Sequence, residues 1–220
     1  IQLTGEGGIG KTSLALKVAN TFIEESKEEG TKPWDQIFYI SFKLDALRGI
    51  SGVQQIEGAI RDVWPEIYRK YIGLEEGLSE ANQIKEIYNY LTTFRTLFVL
   101  DNCESISKDE RGKAALQHFI DNLPKTESRI LITTRDPVFT AQTYSVLPFE
   151  DKQALTLMHK YAEVTGCEEI QRSGKKAKEW VRALATNPLA IRWFVDCVSG
   201  GKNSKDLLRK GGAEIQTLLD

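Results

Sequence analysis

Along the first 150 positions, apolar residues alternate between two patterns. One is a set of short runs, "IQLT", "QIFYISFK", "TLFVL", "RILITT" and a weaker "TYSVLPF". The run "QIFYISFK" is continuously apolar and aromatic, as expected of a strand covered on both faces. Between these runs the spacing is helical. A first helix is predicted from Lys11 to about Glu28. Ile56, Ile60 and Val63 form a stripe stopped by Pro65, and Ile84, Ile87, Tyr88 and Leu91 repeat at i, i+3, i+4, i+7. Leu116, Phe119 and Ile120 mark a further helix. Such alternation predicts an α/β domain over residues 1–150, a parallel sheet with crossover helices. After Glu150 helical spacing takes over. Ala154, Met158 and Tyr161 fall on one segment, Ala177, Trp180, Val181 and Leu184 on the next, and a third begins near Leu189. Residues 151–220 therefore read as a small all-α subdomain, joined without a glycine–serine linker. Its tail carries Leu207, Leu208, Ile215 and Leu218, but Gly211-Gly212 interrupts it.

Charge and cysteine usage narrow the partners more than the fold. The 220 residues carry 29 basic and 31 acidic side chains, a net charge of −2, so no global field draws the chain to nucleic acid or to an anionic membrane. The three cysteines, Cys103, Cys167 and Cys197, are widely separated and form no CxxC pair. That suits a reducing, cytoplasmic setting and argues against a disulfide or zinc framework. His118 and His159 add no metal motif. No signal peptide and no apolar run of about 18 residues is present. The sequence opens at Ile1, inside the expected first strand and without an initiator methionine, so a piece of a larger protein is expected.

The stretch "GEGGIGKTS" changes the picture. Gly5, four free positions and then Gly10-Lys11-Thr12 match the phosphate-binding P-loop. Glycine-rich backbone at Gly5, Gly7, Gly8, Ile9 and Gly10 can turn successive N–H groups onto phosphate oxygens. Lys11 can reach the β and γ phosphates, Thr12 can ligate Mg²⁺, and Ser13 completes the stretch. The bland alternative is a glycine-rich turn with an exposed lysine. "FVLDNCES" supplies the carboxylate that Mg²⁺ needs at the end of a buried strand, Asp101, unless that acid only forms an Asx turn. Asn102 follows where many hydrolytic P-loop proteins carry a second acid. An amide orients water but takes no proton, which leaves Glu104 as the nearest substitute base. In "RILITTRD", Thr133, Thr134 and Arg135 leave the sheet on the same edge as the P-loop, where an arginine can sense the γ phosphate or sit as a surface residue. In "ATNPLAIRWF", Asn187 as N-cap and Pro188 as first helical residue account for a helix start, and no spacing argument makes Pro188 a ligand contact. A guanine-reading [NT]KxD stretch and an arginine-rich kinase lid are both missing.

Taken in order, "GEGGIGKTS", "FVLDNCES", "RILITTRD" and "NPLA" resemble the NB-ARC domains of the STAND class of signalling NTPases, over essentially the whole chain. The resemblance implies a five-stranded parallel sheet of order 5-1-4-3-2, followed by the first helical subdomain from about residue 151. It implies ATP or ADP with Mg²⁺ as ligands, Thr12 and Asp101 as metal residues, Arg135 as the sensor of the γ phosphate and Pro188 near the adenine. It also implies a nucleotide-exchange switch that self-associates, with effector and sensor domains outside this chain and roles that include immune and antiviral defence. The catalytic set would be Lys11, Asp101, Asn102, Glu104 and Arg135. Asp101-Asn102 replaces the usual paired acids, so slow hydrolysis is expected. A turnover ATPase of AAA type and a nucleotide-controlled transcription regulator are the alternatives, and neither charge nor a basic helix favours nucleic acid as a partner.

Overall fold

A computed structural model of the chain describes residues 1–25, 34–42, 89, 91–107, 110–123 and 128–209. In chain order the described elements are β1 (Gln2–Thr4), α1 (Lys11–Glu25), β2 (Gln36–Ser41), β3 (Thr96–Asp101), α2 (Glu104–Ser107), α3 (Glu110–Asn122), β4 (Ser128–Thr133), β5 (Thr143–Ser145), α4 (Asp151–Val164), α5 (Glu168–Gln171), α6 (Lys175–Ala183) and α7 (Pro188–Ser199). The stripes at Ile56–Val63 and at Ile84–Tyr88, and the tail beyond Arg209, lie outside the described residues.

Five strands form one sheet in the order β2-β3-β4-β1-β5, the 5-1-4-3-2 arrangement expected from the sequence. β3 lies inside it, parallel to β2 on one side and to β4 on the other, with Val99 opposite both Tyr39 and Leu131. All six β3 residues are buried, which is why its sequence is an unbroken apolar run up to Asp101. The run in β2 is just as apolar but its residues are half-buried, and Tyr39 is 46% exposed. This corrects the expectation of a strand covered on both faces: β2 is the outermost of the described strands, with a described strand, β3, on one edge alone. "TYSVLPF" also shortens on folding. Only Thr143–Ser145 pair as β5, all exposed, and Pro148 has no N–H to extend the ladder.

The chain separates into two compact units, residues 1–4 with 12–144, and residues 5–11 with 145–220. In the first, Phe98 stacks on Phe38 at 5.5 Å and meets Phe119 edge-on at 5.7 Å, within a core that includes Leu100, Ile106 and Leu116. β1 contributes an unusual member, the fully buried Gln2. Its Nε2 donates to Thr143 Oγ1 at 2.9 Å, and its Oε1 accepts from the backbone of Val138 at 3.1 Å and Phe139 at 3.2 Å. One side chain thus pins the link between β4 and β5. In the second unit, α4, α6 and α7 bury Met158, Val181, Ile191 and Phe194 against one another, and the Trp180 and Phe194 rings lie 5.5 Å apart. Ala154 and Met158 of α4 fill that core as the periodicity implies, whereas Tyr161 lies at its margin, with Ala162 taking the buried position.

Candidate functional site: the phosphate loop and the Asp101 cluster

The glycine loop between β1 and α1 has the backbone that its composition calls for. Gly5, Gly8 and Gly10 have φ of 146°, 70° and 105°, values that a side chain disfavours. At Gly5 space is closed as well, because a Cβ would meet the Val146 carbonyl oxygen at 2.6 Å. Ile9 is buried, and Lys11 is 8% exposed. The Lys11 ammonium donates to the carbonyls of Gly5 at 2.7 Å and Glu6 at 2.9 Å, which keeps the side chain curled along the loop. Ser13 is exposed on the first turn of α1.

The same loop is gripped from α7. Asn187 is 1% exposed. Its Oδ1 accepts from the N–H groups of Leu189 at 2.9 Å and Ala190 at 3.3 Å, which caps the helix as the sequence predicts. Its Nδ2 donates to the Gly7 carbonyl at 3.0 Å, and Leu189 N–H donates to the Gly8 carbonyl at 3.3 Å. Pro188, first residue of α7, lies between these two anchoring residues. Sequence reasoning found the cap and missed the grip. The one available signal was the residue type, since an asparagine offers both an acceptor and an amide donor, whereas an aspartate offers acceptors alone.

In the sheet unit, Asp101 is 4% exposed and gathers hydroxyls. Its Oδ1 accepts from Thr12 at 2.7 Å and Thr133 at 2.6 Å, and its Oδ2 from Tyr39 at 3.0 Å and, at a longer 3.4 Å, from Ser41. Thr12 and Asp101 are therefore brought together, a hydroxyl and a carboxylate of the hard-oxygen kind that suits Mg²⁺. Tyr39 and Ser41 are members that the sequence did not point to, because only the register of β2 on β3 carries them to Asp101. Burial first, then the Asp101 charge and hydrogen bond, push the Tyr39 phenol above its ordinary pKa. Burial, reinforced by the Glu104 and Asp101 charges, pushes the Cys103 thiol well up. Asn102 turns away from this carboxylate: its Nδ2 donates to Ser105 Oγ at 2.5 Å and its N–H to Thr133 Oγ1 at 2.9 Å. Thr134 is fully buried and its N–H donates to the Leu3 carbonyl at 3.0 Å. Arg135 Nε stands 3.6 Å from Glu104 Oε1, pairing the candidate sensor with the candidate base. Among the described residues no cluster of three or more His, Cys, Asp or Glu side chains could hold a metal, and no helix is long and apolar enough to cross a membrane.

Against known families, the profile of the NB-ARC domain matches residues 1–165. A search of curated proteins by sequence finds no match. Among solved structures, DnaA of Aquifex aeolicus bound to AMPPCP is similar with a TM-score of 0.56 at 16% identity, over 96% of this chain and 58% of that one. Domain III of the Thermotoga maritima replication initiation protein DnaA gives 0.55 at 14% identity, over 96% of this chain and 83% of that one. The ORC1 protein of Aeropyrum pernix in complex with DNA gives 0.52 at 12% identity, over 97% of this chain and 59% of that one. The chain thus spans somewhat over half the length of the ORC1 chain, and at these identities the likeness is one of fold.

Proposed function

Because the chain belongs to the NB-ARC domain family and is a P-loop nucleotide-binding module, we propose that it is the ATP/ADP switch of a larger STAND-class signalling protein. In that reading nucleotide exchange controls opening of the helical part and self-association, in a cytoplasmic role such as immune or antiviral defence. The observation that carries the reading is the 2.7 Å bond from Thr12 to Asp101, which follows directly on the glycine loop. With its proton held by Asp101, Thr12 Oγ1 can turn lone pairs toward Mg²⁺, and Asp101 fixes that orientation. Thr12 and, behind it, Asp101 would hold Mg²⁺, which would neutralise phosphate charge when bound. The N–H groups of Gly7, Gly8, Ile9, Gly10 and Lys11 and the Lys11 ammonium serve the phosphates, Arg135 meets the γ phosphate, and Pro188 lies by the adenine.

Slow turnover belongs to the same reading. The Asn102 Nδ2 donates to Ser105 Oγ and Glu104 Oε1 stands 3.6 Å from Arg135 Nε, so the groups nearest the place of a base are an amide, which takes no proton, and a carboxylate paired with a guanidinium. General-base assistance is worth about 10²–10⁴ in rate, and without it ATP is held longer than it is cut.

Titration calorimetry with ATP and ADP in Mg²⁺, on wild type and Lys11→Ala, tests the assignment. Losing a charged hydrogen bond of about 1.5–3 kcal/mol should weaken both nucleotides about 10- to 100-fold. Wild-type affinity in Lys11→Ala would overturn the phosphate role. Hydrolysis at several turnovers per second in a single-turnover assay would replace the switch with a turnover ATPase.

A further inference from the structure

The turn that leads into α7 is built at a steric cost. Ala185 and Thr186 have φ of 51° and 52°, in the left-handed region that β-branched residues in particular avoid. The turn is nevertheless fully bonded to the end of α6, with Ala185 N–H on the Arg182 carbonyl at 3.0 Å, Thr186 N–H on Val181 at 2.8 Å and Asn187 N–H on Leu184 at 3.0 Å. Two consecutive strained residues deliver Asn187, almost fully buried, to the glycine loop.

A helix cap does not require this. Aspartate or serine would satisfy the Leu189 and Ala190 N–H groups as well. What asparagine adds is the donor that holds the Gly7 carbonyl, alongside Leu189 N–H on the Gly8 carbonyl. The peptide unit is planar and trans, so the carbonyl of one residue and the N–H of the next point in opposite directions. Holding the Gly7 and Gly8 carbonyls toward α7 therefore directs the N–H groups of Gly8 and Ile9 away from it. Those are central donors of the loop, and donors fixed in advance lose little freedom when an anion arrives.

We propose that Asn187 is a positioning residue of the phosphate loop: its side-chain amide presets the Gly8 and Ile9 N–H groups, so affinity for the phosphates of a nucleoside di- or triphosphate depends on it. The inference rests on the nucleotide-binding reading above. It separates the two halves of one side chain, an acceptor that caps α7 and a donor that shapes the loop.

The test uses the full chain, with Mg²⁺-ATP and Mg²⁺-ADP titrated into wild type, Lys11→Ala, Asn187→Ser and Asn187→Asp, and melting measured without nucleotide. Serine and aspartate both keep the cap, and both lose the bond to Gly7. Asn187→Ser should weaken ATP and ADP alike by about threefold, within the worth of one hydrogen bond. Asn187→Asp, which sets a carboxylate against the Gly7 carbonyl, should weaken them by about tenfold or more, although aspartate caps as well as serine. Melting should fall modestly in Asn187→Ser and further in Asn187→Asp, since both remove the bond to Gly7 and aspartate adds a carboxylate where the side chain is 1% exposed. A role confined to capping would leave affinity unchanged and rank aspartate at least equal to serine, and either result overturns the proposal while loss of binding in Lys11→Ala keeps the nucleotide reading. Absence of binding in wild type removes both. Should the variants fail to fold, nuclear magnetic resonance on wild type decides: slow solvent exchange of the Asn187 side-chain amide protons supports the bond to the loop, and exchange at the rate of an exposed amide overturns it.

Discussion

Asn102 holds a φ of 64° where β3 gives way to α2. Asparagine is among the few side chains that enter the left-handed region readily, because its short polar group bonds locally. Here it does so with Ser105, whose backbone N–H also bonds the Asn102 carbonyl at 3.2 Å. The residue that stands where a second acid was looked for is thus accounted for by the turn. Aspartate tolerates the same backbone, and its carboxylate would accept the Ser105 hydroxyl in place of the amide bond. We therefore expect Asn102→Asp to keep the fold and to change single-turnover hydrolysis by no more than a few-fold. A rise approaching the 10²-fold lower end of general-base assistance would show that water reaches this side chain after all. Asn102→Ala should destabilise the chain by about 1–2 kcal/mol, from left-handed strain, read as a lower denaturant midpoint.

At the scale of elements, Gln2 shows how a three-residue strand can organise what surrounds it. Its Oε1 is the acceptor for the N–H groups of Val138 and Phe139, and a buried donor left without a partner costs about 1–3 kcal/mol. Gln2→Leu, of similar volume, should lower unfolding free energy by about 2–4 kcal/mol, and a melting temperature within a degree of wild type would refute the pinning role. Nothing in "IQLT" marks this residue, because its partners lie more than 130 positions away and only the sheet order brings them together. The elements that were legible are those that set a sustained apolar run or stripe into a core: β3 is buried throughout and β4 from Leu131 to Thr133. β3 and β4 read as apolar runs, and α4, α6 and α7 as apolar stripes, since each faces one core. The four-residue helices α2 and α5 are too short to express a 3.6-residue period, and the half-buried face of β2 depends on its place in the sheet. The site divides in the same way. Lys11, Thr12 and Asp101 follow from local motifs, whereas Tyr39 on Asp101 and Asn187 on Gly7 are long-range encounters that local patterns do not encode.

For the whole molecule, the loop belongs in chain order with β1 and α1 but in compactness with the helical residues. Residues 5–11 group with 145–220, and the groups that fix the loop carbonyls, Asn187 Nδ2 and Leu189 N–H, come from the N-cap and first turn of α7. A nucleotide shifts a conformational balance only by binding two arrangements unequally, and a loop held from α7 makes phosphate affinity sensitive to whether that hold is intact. A chain ending at Glu150 keeps the glycines, Lys11, Thr12 and Asp101 but loses both donors to the Gly7 and Gly8 carbonyls. Each such bond is worth about 0.5–1.5 kcal/mol, so the truncated chain should bind ADP about 5- to 100-fold more weakly than the 220-residue chain. The measurement is calorimetric titration of both chains, with circular dichroism confirming that the shorter one is folded. Unchanged affinity in a folded truncation would reduce Asn187 and Pro188 to the start of a helix and place the whole of phosphate recognition in the loop and the sheet.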